Sequence, residues 1–452
     1  MEKNELPFVK KIIDKYVNKK FLIIGFSAKT GLSAAGFFDR FGIKYKISDV
    51  RSPDEILPLA GECRNCLEIF CGPQNANQLD GISCVLLSPG VPRSISLVQA
   101  AVKNNIPVYT DVDFIFQFLE KKKTFCITGT DGKTTVTSLL SAILACTGKT
   151  AAAGNIGTPV FSCFDKIINS DYAVFELSSF MLEDFHFIKP AFSVITNIAE
   201  DHMDRYPSMA EYSRAKFNMV RNCPDRAVFI KNLDNKITHS FTPACRCVTI
   251  SQQNKADYFF YNGSFHIKNE IFSYKECLLK GIHNIENILC SAALAAEAGV
   301  PGDIISRTVR EFPGVPHRMQ YLGDRAGRSI YNDSKATTIH AVEKALASFE
   351  KNIILILGGR NKGLDFSQLQ KYNGRIKQLV CYGEYGLEIC NIMKHPQSVY
   401  ISSFDEACRR ASLLSLPGDT ILLSPGCTSW DQFPNYEIRG ERFGELMYET
   451  LA

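Results

Sequence analysis

Uninterrupted apolar runs, each closing on glycine or a small polar residue, restrict the fold of this chain more than any other feature. "FLIIGF" (21–26), "FCITGT" (125–130), "IILILGG" (353–359) and "ILLSPG" (421–426) are the clearest. A strand with one wet face alternates apolar and polar residues, whereas a strand buried on both faces does not. Helical stretches separate these runs, so the pattern predicts parallel sheets covered by helices on both sides. The strands fall into three groups. The first adds "YKISD" (45–49), "CVLLSPG" (84–90) and "VYTD" (108–111). The second adds "YAVFELSS" (172–179), "FSVITNI" (192–198) and "AVFIKN" (227–232). The third adds "SIYNDS" (329–334) and "LVCYGE" (379–384). One stretch, 257–279, alternates instead and holds Asn262-Gly263, a hairpin turn signal.

At 452 residues the chain exceeds one ordinary core. The three groups predict an α/β protein of three domains at 1–112, 113–315 and 316–452. The first and third are expected to be Rossmann-like. The central one is expected to be a P-loop-type ATPase domain with a mostly parallel sheet. Charged residues make up 22% and the net charge is +4, which calls for no nucleic-acid partner. No run of apolar residues is long enough to span a membrane, and the charged start lacks a signal-peptide core. A cytoplasmic location is expected. The sixteen cysteines are scattered, many in apolar strands, as buried thiols of a reducing compartment would be. "CRNC" (63–66) has no second half of the right spacing, so no structural zinc is expected.

The run "FCIT" enters Gly129-Thr130-Asp131-Gly132-Lys133-Thr134-Thr135, and a helix is expected from about Thr134. A strand that turns through glycines into a helix aims backbone N–H groups at one point, at the positive end of the helix dipole. Lys133 can reach terminal phosphates, and the Thr134 hydroxyl is placed for Mg²⁺. The two glycines stand closer together than in the usual P-loop. In a parallel sheet, ligands gather at the carboxyl ends of strands. Glu176 ends its strand there and is a hard oxygen donor suited to Mg²⁺. Taken alone, it can also be read as a solvated strand-end carboxylate. The loop 197–207 gathers Glu200, Asp201, His202, Asp204 and Arg205. His202 alone reads as polar surface, and Lys216 alone as a solvated helix lysine. The first domain opens with "IIGFSAKTG" and has Asp49 after its second strand, but G-x-G-x-x-G is absent, so a hydride-transfer cofactor is not expected. A nucleotide at those strand ends, near Arg51, remains open.

The combination resembles the Mur ligases, ATP-dependent enzymes that add amino acids to the peptidoglycan precursor. The resemblance runs through "ITGTDGKTT", "GNIGTP", "ELSSF", "EDHMDRYP", "HNIENI", "VPHR", "NDSKATT" and "SWDQFPNYEIRG", in order along nearly the whole chain. "DHMDRYP" and the last two motifs look like those of the member that joins D-glutamate to UDP-N-acetylmuramoyl-L-alanine. The short glycine spacing is the usual form in this family. The resemblance implies that Gly129 through Thr135 bind ATP phosphates, with Asn284, Asn287, Arg318, Asp333 and Lys335 also serving ATP. It implies two Mg²⁺ ions, with Thr134, Glu176, His202 and a carbamylated Lys216 as ligands, and Lys133, Glu176, His202 and Lys216 as the catalytic set. Thr337, Lys362, Ser429 and Tyr436 would take D-glutamate. Thr30, Asp49, Arg51 and Gly90 would face the UDP end, and Asn155 the muramoyl part. Water-excluding closure of the domains and a monomeric state are expected. A sister ligase, a P-loop ATPase or GTPase of another class, and a non-catalytic nucleotide-binding protein are the competing readings, the last opposed by Glu176 and His202.

Overall fold

The computed structural model describes residues 7–119, 123–155, 158–203 and 205–451. Asp204 and the Ile156-Gly157 step of "GNIGTP" therefore lie outside the described residues. Two compact units make up the chain: 1–271 with 287–305, and 272–286 with 306–452.

The first unit carries two sheets. Strands β1 (Lys20–Ile24), β2 (Lys44–Asp49), β3 (Cys66–Cys71), β4 (Cys84–Leu87) and β5 (Val108–Tyr109) form a parallel sheet in the order β3-β2-β1-β4-β5. The order reverses beside β1, so the loop after β1 sits at the switch point where such sheets bind ligands. The strand β3, "CLEIFC", was missed by the apolar reading because Glu68 and the flanking cysteines interrupt its pattern.

The second sheet runs β14-β13-β12-β11-β10-β9-β6-β8-β7. Its strands are β6 (Lys123–Thr128), β7 (Thr150–Gly154), β8 (Tyr172–Glu176), β9 (Phe192–Ile195), β10 (Val228–Asn232), β11 (Arg246–Ser251), β12 (Tyr258–Tyr261), β13 (Ser264–Ile267) and β14 (Glu270–Ser273). From β7 to β12 neighbouring strands are parallel, and β12–β13 is the expected antiparallel hairpin. Asn262 and Gly263 turn it with φ of 46° and 78°, the left-handed pair of a type I′ turn.

A shared apolar core joins the two sheets of this unit. Phe37, on the helix after β1, places its ring 4.8 Å from Phe161 and 5.0 Å from Phe164. Each such buried ring contributes about 2–3 kcal/mol. The boundary expected near residue 112 falls inside a helix, Asp111–Phe116, whose six residues are all buried.

The second unit holds the third sheet, ordered β15-β16-β20-β17-β18-β19. Its strands are β15 (Gln320–Arg325), β16 (Arg328–Asn332), β17 (Ile353–Gly358), β18 (Ile376–Tyr382), β19 (Ser398–Ile401) and β20 (Thr420–Gly426). Only β15 is antiparallel to its neighbour. β17 is buried at all six positions, as its unbroken "IILILG" requires. Apolar clusters cover both faces of this sheet. The architecture is thus α/β with three mostly parallel sheets. No helix among the described residues is long and apolar enough to cross a membrane.

Candidate active site

The loop after β6 meets the helix Lys133–Ala145, which begins one residue earlier than the sequence indicates. Gly132 caps that helix at φ 82° and offers no side-chain oxygen, and the first turn holds no acidic residue. The positive end of the helix dipole therefore meets no acidic side chain of its own first turn, which favours an anion there. Both glycines are required by space as well as by backbone. A Cβ on Gly129 would lie 1.9 Å from Thr196 Oγ1, and one on Gly132 would lie 2.1 Å from Asn287 Oδ1.

The segment after β9 holds this loop in shape. The Thr130 N–H donates to the Asn197 carbonyl at 2.8 Å, and the Asp131 N–H to Asn197 Oδ1 at 2.9 Å. Thr196 Oγ1 donates to the Asp131 carbonyl at 2.6 Å. Lys133 Nζ donates to the carbonyls of Gly129 and Thr130 at 2.9 and 2.7 Å. Thr134 and Thr135 are half-buried in the first helical turn.

The strands that flank β6, β8 and β9, lead to Glu176 and His202. Glu176 ends β8 and is 2% exposed. Its Oε1 accepts from Asn155 Nδ2 at 3.0 Å, while Oε2 is buried without a hydrogen-bond partner. A buried carboxylate oxygen left unpaired is costly, and a divalent cation would satisfy it, so this residue fits a Mg²⁺ ligand. His202 stands at φ 56°, a left-handed conformation that histidine tolerates better than most residues. Its Nε2 lies 3.5 Å from Asp201 Oδ2, and its ring packs 4.8 Å from that of Phe180. Among the described residues, no three His, Cys, Asp or Glu side chains gather closely enough to hold a metal by themselves. Magnesium commonly takes few protein ligands and completes its shell with phosphate and water.

Lys216 overturns its solvated-surface reading. It sits near the end of the helix Met209–Phe217, 1% exposed. Its Nζ donates to the Gly129 carbonyl at 2.8 Å and lies 4.5 Å from the centre of the Tyr212 ring. Burial, reinforced by the Lys133 charge and opposed by Asp201, pulls its pKa down to about 7. At neutral pH much of this lysine is a neutral amine, and therefore a nucleophile.

In the first sheet, Thr30 opens the helix Thr30–Arg40. Asp49 accepts from the Phe26 N–H at 2.6 Å and from the Arg51 backbone and guanidinium at 3.0 Å. Burial pushes its carboxyl up, but the Arg51 bonds and the Phe26 N–H prevail and hold it below the usual range. Arg51 Nη2 in turn donates to the Phe26 carbonyl at 2.6 Å, so the pair clasps the loop after β1. Gly90 is exposed in the loop after β4. Arg205 grips Glu183 with two bonds, at 2.8 and 2.9 Å, and donates to the Pro89 carbonyl at 3.4 Å, linking that loop to the His202 segment.

Asn287, 3% exposed, places its side chain against the phosphate loop within the first unit. The second unit holds the others. Asn284 Nδ2 donates to the Lys280 carbonyl at 2.6 Å. Asp333, 7% exposed, accepts from the Met319 N–H at 3.1 Å and from Ser424 Oγ at 2.9 Å, and burial raises its pKa to about 7. Lys335 lies 4.9 Å from the Tyr436 ring centre, and Arg318 is exposed nearby in sequence. Since β16, β20 and β17 are parallel neighbours, the loops carrying Lys335 and Thr337, Ser429 and Tyr436, and Lys362 leave the same edge of the sheet. Ser429 is 2% exposed, Thr337 and Tyr436 are half-buried, and Lys362 is exposed.

Sequence reasoning missed Arg439. It is fully buried and donates to Ser334 Oγ and the Ser334 carbonyl at 2.9 and 2.6 Å, to Tyr382 Oη at 3.1 Å and to the Cys427 carbonyl at 3.2 Å. One cation thus ties three strand-end segments together. The only signal was its place in "NYEIRG", on the inner face of the helix Tyr436–Thr450.

The comparisons with known proteins agree with one another. The family model of the Mur ligase MurD-like N-terminal domain matches residues 19–110, that of the Mur ligase middle domain 127–295, and that of the Mur ligase glutamate ligase domain 317–427. A Listeria innocua protein named UDP-N-acetylmuramoylalanine--D-glutamate ligase is 33% identical over 451 residues, covering 98% of this chain and 99% of the relative. Among solved structures, MurF from Acinetobacter baumannii aligns with a TM-score of 0.63 at 13% identity, covering 98% of each chain. The UDP-N-acetylmuramate-alanine ligase MurC of Thermotoga maritima aligns with 0.58 at 18%, covering 96% of this chain and all of that one. These two share the fold. With three family segments in order along one chain, and a third of its residues shared end to end with a curated relative, the chain belongs to the Mur ligase family.

Proposed function

We propose that this chain joins D-glutamate to UDP-N-acetylmuramoyl-L-alanine at the expense of ATP, in the synthesis of the peptidoglycan precursor. The observation that carries the chemistry is the cluster around Gly129. An uncapped helix N-terminus, the Lys133 ammonium and the partly neutral Lys216 bear on one glycine loop, and the unpaired Glu176 oxygen ends the strand beside β6.

The substrate carboxylate attacks the γ-phosphorus of ATP, the bond to the β-γ bridging oxygen breaks, and ADP leaves. Lys133 and the leading N–H groups of the helix stabilise charge on the transferring phosphoryl group. The resulting acyl phosphate is attacked by the D-glutamate amine. An amide C–N bond forms, inorganic phosphate departs and the amine loses a proton. Thr134, Glu176, His202 and a carbamylated Lys216 would hold two Mg²⁺ ions, which when bound supply charge neutralisation at the phosphates. Carbamylation needs only the neutral amine: Lys216 Nζ adds to CO₂, a C–N bond forms and a proton leaves. The depressed pKa of Lys216 favours that step.

In the first unit, Gly129–Thr135 and Asn287 serve ATP, Thr30, Asp49, Arg51 and Gly90 serve the uridine diphosphate, and Asn155 serves the muramoyl part. In the second, Asn284, Arg318, Asp333 and Lys335 serve ATP, and Thr337, Lys362, Ser429 and Tyr436 serve D-glutamate. The clasp between Asp49 and Arg51 supports an indirect part for Asp49, shaping the loop while Arg51 faces the ligand. The domains are assigned to 1–112, 113–315 and 316–452, in a cytoplasmic monomer.

The test is phosphate release by the purified chain with ATP and Mg²⁺. Release should require both UDP-N-acetylmuramoyl-L-alanine and D-glutamate, and should vanish in Lys133→Ala with the fold retained by circular dichroism. Release independent of both acceptors would refute the ligase reading.

A further inference from the structure

The loops after β17 and β20 are zipped together beyond the sheet. Arg360 and Thr428 exchange backbone hydrogen bonds, each 3.1 Å, and Thr428 Oγ1 adds a third to the Arg360 carbonyl at 3.0 Å. Two residues past this clip on each strand stand Lys362 and Trp430. The Lys362 ammonium lies 4.8 Å from the centre of the Trp430 ring. No carboxylate among the described residues lies within ion-pair distance of Lys362.

Trp430 is an unusual surface residue. It is the single tryptophan of the chain and is 59% exposed. Its backbone is nevertheless pinned on both sides. Ser429 before it is 2% exposed, and its carbonyl accepts from Phe433 N–H at 2.7 Å and Gln432 N–H at 3.1 Å. Asp431 after it accepts from the Glu384 N–H at 3.1 Å, an approach that only a glycine at 383 permits, since a Cβ there would lie 2.3 Å from Asp431 Oδ2. An indole held out from a fixed backbone presents its face to whatever cation stands beside it. The electron-rich face of an indole attracts an ammonium.

We infer that Trp430 is a positioning residue of the amino-acid site, whose indole face holds the Lys362 ammonium for the side-chain carboxylate of the incoming amino acid. The inference rests on the assignment of Lys362 to D-glutamate. A lysine otherwise samples many rotamers, and confining its charge to one region removes part of the ordering cost at binding. The carboxylate then meets a cation that is neither neutralised by another acid nor free to swing away. Selection for an anionic side chain would follow from this held charge.

Initial rates for the full chain, measured against D-glutamate with ATP and UDP-N-acetylmuramoyl-L-alanine saturating, test the inference. Trp430→Leu should raise the D-glutamate KM roughly two- to fivefold, the factor that an exposed cation–π contact is worth. The kcat and the KM for ATP should stay within about twofold, a split that a general loosening of the loop would not give. Trp430→Phe should recover most of the loss. Placed on Lys362→Ala, Trp430→Leu should add nothing further. An unchanged D-glutamate KM, an equal rise in the KM for ATP, or full additivity with Lys362→Ala would overturn the inference while leaving the ligase reading intact. Wild-type enzyme that turns over no D-glutamate would overturn the ligase reading itself. The emission of Trp430, the only indole present, still decides the contact in that case: it should change in Lys362→Ala, and an identical spectrum would show that the pair does not exist.

Discussion

Replacing Lys216 by methionine separates the physical chemistry of that lysine from its part in turnover. Methionine matches its length and suits its buried, Tyr212-lined position. The pKa of Lys216 falls from 10.5 to about 7, principally through burial. At pH 7.5 about three quarters of the amines are then neutral, against about one in a thousand for an ordinary lysine. The same shift has a signature in stability. Between pH 7 and 10.5 the folded chain binds fewer protons here than the unfolded chain, so stability rises with pH through that window and is level below it. Over the two units from pH 7 to 9 the wild-type chain should gain about 2 kcal/mol from this group alone. Lys216→Met lacks that gain. Its advantage over wild type should be largest at pH 6–7 and about 2 kcal/mol smaller at pH 9. Urea denaturation of both proteins in bicarbonate-free buffer at pH 6, 7, 8 and 9 measures it. With ¹³C-labelled bicarbonate, wild type should show a carbamate resonance that Lys216→Met lacks. A stability difference constant across that pH range would mean that the amine is not perturbed, and the nucleophile argument would fail with it.

Three further outcomes follow from the geometry. Gly132→Ala places a methyl 2.1 Å from Asn287 Oδ1 at φ 82°; it should cost at least 1–2 kcal/mol in denaturant melts and slow phosphate release more than tenfold. Asp111 is buried, and burial, opposed by its bond from the Val112 N–H, lifts its carboxyl to about 6. The stability it provides is complete below the unfolded value of 3.8 and is lost as pH rises to about 6, so Asp111→Asn should gain about 2 kcal/mol relative to wild type between pH 4 and 7.5; parallel melting curves would refute this. Arg439→Met strands the Ser334 and Cys427 carbonyls and should destabilise the second unit by roughly 3–5 kcal/mol in urea, raising the D-glutamate KM as the strand-end loops loosen.

What the sequence disclosed follows the range of the interactions involved. The phosphate loop was legible because strand, glycines, lysine and helix lie within twenty residues. The buried centre strands β6, β9, β17 and β20 were legible for the same reason: each carries its own burial in its letters. Strands β7, "TAAAG", and β11, "RCVTIS", were not, because alanines and polar edge residues look alike in strands and loops. β15 and β19 lie at the sheet margins with half-exposed patterns and escaped notice in the same way. Lys216 and Arg439 failed for a different reason. Their burial is imposed by segments some ninety to a hundred residues away, the Gly129 carbonyl for one and Ser334 for the other. No local pattern distinguishes them from solvated helix cations. The fold class came through intact because parallel sheets repeat one signal many times, whereas a site depends on single residues.

The helix Ile282–Glu297 gives the phosphate loop a history during synthesis. Its Asn287 closes over Gly132, and its Ser291 hydroxyl donates to the Val136 carbonyl at 3.3 Å. The ribosome makes the loop early but reaches this helix only after the intervening strands β7 to β14. At roughly 5–20 residues per second, that delay is on the order of ten to thirty seconds. During it, the nascent chain carries a glycine turn whose wall is missing. A chain released before residue 282 would contain every letter of "GTDGKTT" and still lack the side chain that bounds it.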